Sequence, residues 1–398
     1  MAQGSYGPLT GITVLDVTQS LAGPFGGMLL GDIGADVIKI ELPKGGDGAR
    51  RWGPPFAGDS GPTFVGFNRN KRSVAIDLHT AEGQSQFIQL ATKADVVLEN
   101  FRPGTMKKFG VDYETLRAHN KSLIYCSISG YGQKGPFAKR PAMDLMIQAV
   151  SGMMSITGEP DGRPVKAAAP MADLFGGYTA AFSILAAIRE RDRTGEGRVI
   201  DVAMLDAMMT LLGQSVVACA ISGEAPPRQG NAHQLMAPYQ AFRTDTRDLV
   251  ISVTTQKRWE LLCTIPEFKP LSGNDLYLSQ ELRNEHRLAL CAEMDKIFCT
   301  RPADYWLAEL ERLGLPSAPV NTIPEIMAEP HLAQRNTLIE VEYPPGSGKR
   351  IKTPGMPWRD VAADRPVRNP PAIGQHTEEV FAQFGVTMNT GGQKASSG

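Results

Sequence analysis

Short apolar runs, separated by glycine-bearing turns and amphipathic stretches, recur along the first third of the chain. Ile12–Val17, Asp36–Glu41, Ser73–Leu78, Asp95–Glu99 and Leu123–Ile128 have the length and β-branched content of strands. The stretches 25–35 and 81–93 between them suit helices. Strand, glycine-bearing turn, helix and strand within about thirty residues predict a βαβ unit, whose product is a parallel sheet. The alternation predicts an α/β fold with a large doubly wound domain, whose ligands lie beyond the carboxyl ends of the strands.

The longest apolar stretch runs from Ala168 to Ile188 and predicts a buried helix, with Phe182, Leu185 and Ile188 recurring at three-residue spacing. It ends where Arg189–Thr194 turns charged and Gly195 follows. Asp173 falls at or near the start of this helix, where open backbone N–H groups favour negative charge. It suits an N-cap and equally a carboxylate nucleophile held beside backbone donors, with Gly176 and Gly177 leaving room for a ligand. The two roles are compatible.

Beyond residue 198 the pattern continues as strand and helix to Ile221, and Gly223–Gly230 then reads as a linker. Residues 239–244 and 249–254 read as strands, and 281–298 and 303–313 as charged helices. The expected organisation is a large domain beginning with 1–225, a smaller α+β domain at 226–328, and a C-terminal segment, 329–398, returning to the large domain. Residues 385–398 are small and polar, as in a fraying end.

Composition narrows the function. The 398 residues carry 41 Lys and Arg against 42 Asp and Glu, so bulk electrostatics favour neither nucleic acid nor an anionic membrane as partner. Cys126, Cys219, Cys263, Cys291 and Cys299 form no C-x-x-C pair, and the six histidines show no zinc spacing. Neither a disulfide framework nor a metal is expected. The N-terminus lacks the signal-peptide pattern, and no uninterrupted apolar run approaches the ~20 residues of a bilayer span. A cytoplasmic enzyme is the expectation. The first turn reads Ala22-Gly-Pro-Phe-Gly-Gly27 rather than G-x-G-x-x-G, although Glu41 stands where a ribose-binding acid would. Pro345–Lys349 lacks P-loop spacing, and no G-x-S-x-G elbow occurs.

Several polar turns each follow a strand of the first domain, some combining cations with glycine as a phosphate-rich ligand requires. They are Gln19–Pro24, Asn68–Arg72, Glu99–Gly104 and Gly130–Pro136. With Leu-Gly-Asp-Ile-Gly-Ala-Asp-Val-Ile-Lys-Ile-Glu at 30–41 and Gly-Asn-Ala-His at 230–233, the chain resembles the class III coenzyme-A transferases from about residue 8 to about 385. That family includes formyl-CoA and carnitine-CoA transferases and the related α-methylacyl-CoA racemases.

The resemblance implies a Rossmann-like domain closed by a smaller one, in an interlocked homodimer of threaded open rings. It implies Asp173 as nucleophile, forming an aspartyl anhydride and then an aspartyl-CoA thioester, with no resident cofactor and CoA itself as carrier. A carboxylate nucleophile relies on positioning and on N–H groups facing each oxyanion. Carried over residue by residue, Leu21 and Ala22 line the thioester pocket. Ile76, Asp77, Leu78, His79, Asn100, Phe101, Arg102 and Lys108 contact CoA. Leu21 stands where the formyl-CoA branch has glutamine, and Val253–Lys257 where it has a glycine-rich lid, which argues against formyl or oxalyl transfer. Met143, followed by Asp144, occupies the place of the racemase histidine, and the resemblance implies that both contact CoA or substrate; a thioether carries no proton at neutral pH, which argues against a two-base racemase. Ala49–Phe56 and Gly230–Phe242 resemble the dicarboxylate branch, implying succinyl-CoA as donor and a C4–C6 dicarboxylate such as itaconate, glutarate, malate or mesaconate as acceptor. Arg51, Arg69 and Arg140 are candidates for its second carboxylate. A non-catalytic CoA-binding protein is the alternative outside enzymology.

Overall fold

The structure, a computed structural model, describes residues 7–357 and 366–387; the rest of the polar end expected to fray, 388–398, lies outside the described residues. The backbone divides into two compact units. The first is formed by residues 1–153, 166–222 and 333–398, and the second by 154–165 and 223–332. Residues 154–165 thus leave the large domain in which the sequence reading put them. They carry no periodic pattern, and what holds them is the Arg228 guanidinium, which donates to the carbonyls of Ser155, Glu159 and Gly162 at 3.3, 3.3 and 2.8 Å.

The first unit is built on a parallel six-stranded sheet in the order β3-β2-β1-β4-β5-β6. Its strands are β1 (Thr13–Asp16), β2 (Asp36–Glu41), β3 (Lys71–Ala75), β4 (Val96–Glu99), β5 (Ile124–Ser129) and β6 (Val199–Ala203). The order reverses between β1 and β4, so the turns after those two strands frame the switch-point crevice. Helix α1 (Ala22–Asp32) starts earlier than the sequence pattern suggests, because Pro24 falls in its first turn, where a missing N–H is no loss. It is followed by α2 (Ala81–Ala91), α3 (Asp144–Val150), α4 (Met171–Thr194), α5 (Met204–Leu211) and α6 (Gly213–Ser222).

Helix α4 corrects the sequence reading in its facing. Its buried positions are Ala172, Gly176, Gly177, Ala180, Ala181, Ile184, Ala187 and Ile188. Phe182 is 74% exposed and Leu185 36%. The small residues win the interior because α4 lies against α1 almost backbone to backbone. A Cβ on Gly177 would come within 2.6 Å of the Ala22 carbonyl, and one on Gly26 within 3.0 Å of the Gly177 carbonyl. Gly177 therefore makes room for a helix rather than for a ligand, and Gly176 faces Met204. Among the described residues α4 alone is long and apolar enough to cross a bilayer by length and composition, although no uninterrupted run announced it. Its packed small-residue face makes it a core helix.

The chain returns to the first unit with the hairpin β10 (Leu338–Glu342) and β11 (Arg350–Pro354) and with a C-terminal helix, Thr377–Phe384. This last segment covers the free edge of β3. Asn70 N–H donates to the Arg368 carbonyl and His376 N–H to the Ser73 carbonyl, both at 2.9 Å. Ser73 and Ala75 donate to His376 Nδ1 at 3.2 Å and Thr377 Oγ1 at 3.0 Å. The second unit has a three-stranded sheet, β7 (Tyr239–Phe242), β8 (Leu249–Ser252) and β9 (Ser317–Pro319), with both pairings antiparallel. Its helices pack around Trp259, Phe268, Tyr277, Phe298 and Trp306.

Candidate active site

The turns after β1, β4 and β5 and the starts of α3, α4 and α5 converge on one cleft of about 150 Å³. Ser20, Leu21 and Ala22 come from the first turn, Asn100, Phe101, Arg102 and Pro103 from the second, and Ile128, Ser129 and Gly130 from the third. Trp52, Ala138, Arg140, Ala142, Met143, Asp144, Asp173 and Met204 complete the wall. The close α1–α4 packing explains the placement. Ala22 and Asp173 each stand one helical turn before a glycine of that contact, so both helix N-termini open into the cleft.

Asp173 is in the first turn of α4 and is not the N-cap; that position is Pro170, which has no capping side chain. The cap is supplied from α3. Asp144 Oδ1 accepts from Ala172 N–H at 2.9 Å, and its other oxygen accepts from Gln148 Nε2 at 2.7 Å. Gln148 in turn accepts from Ala167 N–H at 2.9 Å, which fixes the segment leading into α4. Burial raises the Asp173 carboxyl to about 7, and the nearby Asp144 carboxylate adds to the rise. Glu99, at the carboxyl end of β4, is also raised to about 7 by burial, while accepting from Phe101 N–H at 2.8 Å. Ser129 Oγ is buried and lacks a hydrogen-bond partner among the described residues.

A second cleft adjoins through Phe101 and is lined by Ile76, Leu78 and His79 with Gln19, Ile40 and Phe109. Asp77 stands beside it and accepts from His79 N–H at 3.0 Å. Leu21, Ala22, Ile76, Leu78, His79, Asn100, Phe101, Arg102, Met143, Asp144, Asp173 and Arg140 are thus drawn into two adjacent clefts. Lys108 lines neither; it is exposed in the short turn Thr105–Lys108. Arg51 is exposed and donates to the Gly45 carbonyl at 2.8 Å. Arg69 is removed from the acceptor-binding candidates by its partners. It is 2% exposed, pairs with Asp32 at 2.5 Å and donates to the Pro354 carbonyl at 2.8 Å. Glu41, too, is taken, pairing with Arg50 at 2.8 Å. Ser20, Trp52 and Ser129 were not singled out from the sequence. A polar residue closing a strand, as Ser129 closes β5, is the signal that could have found one of them.

The model of CoA-transferase family III matches residues 9–377. The chain belongs to that family. It is 37% identical over 390 residues to a succinate–glutarate CoA-transferase of Agrobacterium fabrum, covering 95% of this chain and 96% of the relative. It is 39% identical over 394 residues to a succinyl-CoA:mesaconate CoA-transferase of Haloarcula hispanica, covering 96% and 98%. A crystal structure of a CAIB/BAIF family protein from Brucella suis superimposes with a TM-score of 0.88 at 36% identity, covering 96% of this chain and all of that one. As a family III CoA-transferase the chain uses a CoA thioester as substrate.

Proposed function

We propose that this transferase takes CoA from succinyl-CoA and passes it to a short dicarboxylic acid, with glutarate and mesaconate, the acceptors in the relatives' names, as first choices. The observation that carries the reading is the Asp173 carboxylate in the cleft of a chain so similar to those two enzymes over nearly its whole length. The Asp173 carboxylate attacks the succinyl carbonyl carbon and displaces CoA thiolate, leaving a mixed anhydride. The thiolate then attacks the aspartyl carbon, which releases succinate and leaves an aspartyl-CoA thioester. The acceptor carboxylate displaces the thiolate in its turn, and the thiolate finally takes the new acyl group and frees Asp173. Each addition places negative charge on an oxygen for which the open N–H groups at the start of α1 are the donors at hand, since Ala172 N–H of α4 is already capped by Asp144.

Arg140 is the cation we assign to the acceptor's second carboxylate. It lines the Asp173 cleft and is held against the Phe137 ring at 3.8 Å, whereas Arg51 lines neither cleft and Arg69 is sealed on Asp32. Arg102 shares the cleft and is kept for CoA. We further infer a cytoplasmic interlocked homodimer. The apolar side chains on α4 and α6 support the dimer, with Phe182 74%, Val217 57% and Ile221 83% exposed on the single chain.

Intact-protein mass after mixing with succinyl-CoA, followed by peptide mapping, tests the chemistry. A CoA-sized adduct on Asp173 is expected. CoA binding without an adduct from any acyl donor would exclude the covalent route, and a panel in which monocarboxylates outcompete every dicarboxylate would exclude the acceptor class.

A further inference from the structure

The turn that carries β1 into α1 is held by side chains that the transfer chemistry leaves unmentioned. Each backbone polar group from Thr18 N–H to Ser20 N–H has its own side-chain partner. Thr18 N–H donates to Asp16 Oδ1 at 2.9 Å, and its carbonyl accepts from Lys39 Nζ at 2.8 Å. Gln19 exchanges both of its backbone bonds with the Asn100 amide, at 2.8 and 2.7 Å. Ser20 N–H donates to Asp47 Oδ1 at 2.9 Å. Asp47 is itself fixed. It is 1% exposed, its N–H donates to Glu41 Oε1 at 3.0 Å, and its second oxygen stands 3.0 Å from Lys39 Nζ.

Ser20 needs such a hold. Among the described residues only Ser20, Asn70 and Asn336 take positive φ without being glycine, and Ser20, at 72°, is the one without the amide side chain that tolerates that region. The next residue, Leu21, is the N-cap of α1, and Ser20, Leu21 and Ala22 all line the Asp173 cleft. Were Ser20 to relax to negative φ, the peptide plane leading into Leu21 would rotate and the first α1 amides would turn with it.

We propose that Asp47 is a positioning residue for CoA transfer: its buried carboxylate holds Ser20 left-handed and so keeps the opening amides of α1 turned into the cleft. The inference rests on Asp173 acting in that cleft, and it predicts a defect in the chemical steps rather than in CoA binding. Asp47 lines neither cleft; the same oxygen also accepts from Ala49 N–H at 2.9 Å and caps the short helix 48–51 that leads to Trp52 in the cleft, a second route that a change at Ser20 would not rescue.

The test is a double-mutant cycle between Asp47→Ala and Ser20→Gly, read as kcat, KM for succinyl-CoA and the rate of adduct formation on Asp173. Glycine adopts φ near +70° without help, so it should make Asp47 dispensable to the turn. Asp47→Ala is expected to lower kcat and the acylation rate about 30-fold with KM within about threefold. In the Ser20→Gly background the same change should lower them less than about fivefold. An equal loss in both backgrounds, a loss confined to KM, or an unchanged kcat would each overturn the proposal. Should Asp47→Ala not fold, Asp47→Asn decides alone. A roughly threefold loss of kcat that Ser20→Gly abolishes supports the proposal, and an unchanged kcat or an equal loss in both backgrounds overturns it. Adduct formation by the unaltered enzyme is measured alongside, so failure of the Asp173 chemistry is seen separately from failure of the Asp47 assignment.

Discussion

The two units fill their interiors differently. Beneath the cleft the first unit hides Asp16, Lys39, Glu41, Asp47, Arg50 and Lys71, each no more than 3% exposed. The second unit hides an aromatic cluster in which Phe268, Phe298 and Trp306 meet at ring-centre distances of 5.0–5.6 Å, and Arg283 is its one buried charge among the described residues. Buried ion pairs are weak stabilisers, because desolvation takes back most of the attraction. What they add is direction, since a carboxylate or ammonium fixes the backbone groups it bonds. Lys71 Nζ alone holds Asp16 at 2.8 Å, the Pro24 carbonyl at 2.7 Å and Asn68 at 2.9 Å. The lesson is that charge is placed where chain must be aimed, and aromatic bulk where space need only be filled.

The contrast can be broken most forcefully at the site that the charged interior serves. Asp173→Ala should lower turnover by roughly 10³-fold or more while leaving CoA affinity nearly unchanged, as single-turnover and equilibrium binding assays would show. One change in each interior comes next. Lys71→Met strands Asp16 without its partner and should cost about 3–5 kcal/mol in denaturant unfolding. Trp306→Ala should cost a similar ~3–5 kcal/mol through the cavity it leaves. Only the first should also lower kcat per folded molecule; equal kcat losses in both would dissolve the distinction. Arg140→Gln sharpens the picture at the cleft wall. It should raise KM for the dicarboxylate acceptor about tenfold, with KM for monocarboxylate acceptors unmoved.

The smallest effect is set by pH. Because Asp173 sits near 7 by burial and must be ionised to attack, kcat/KM should be level above that value and fall about tenfold per unit below it. The stability side has the opposite sign. A carboxyl raised above its unfolded value binds its proton more tightly in the folded state, so its ionisation opposes folding increasingly from about pH 4 to pH 7. Asp173→Asn should therefore raise Tm more at pH 8 than at pH 4; an equal rise at both would show that burial is not what shifts the group.

Much of this was legible in the sequence, and the misses share a cause. The strands and their turns follow from β-branched runs punctuated by glycine, which are local signals. Asp173 was legible as a carboxylate at a helix start, but its cap was not, because Asp144 reaches it from another helix. The facing of α4 was misread because three-residue spacing ranks Phe182 and Leu185 above alanine and glycine. Burial there is decided by how closely α1 approaches, and periodicity does not encode distance. Arg69 looked available for the same reason, as Asp32, at the end of α1, becomes its neighbour only once the chain has folded. Buried ions are the hardest to foresee, since a lysine in a strand reads as an edge or a surface until its partners are known.

The cover over β3 bears on how the chain is made. Its partners, Arg368, His376 and Thr377, follow the β3 residues they bond by about 300 positions, so they leave the ribosome long after β3 does. Until they emerge the sheet therefore presents an unsatisfied edge, a template on which another nascent chain can pair. A stop codon shortly before residue 366 would spare every cleft-lining residue, yet would leave that edge open for good. Such a truncated enzyme would be lost to self-association before its chemistry was ever tested.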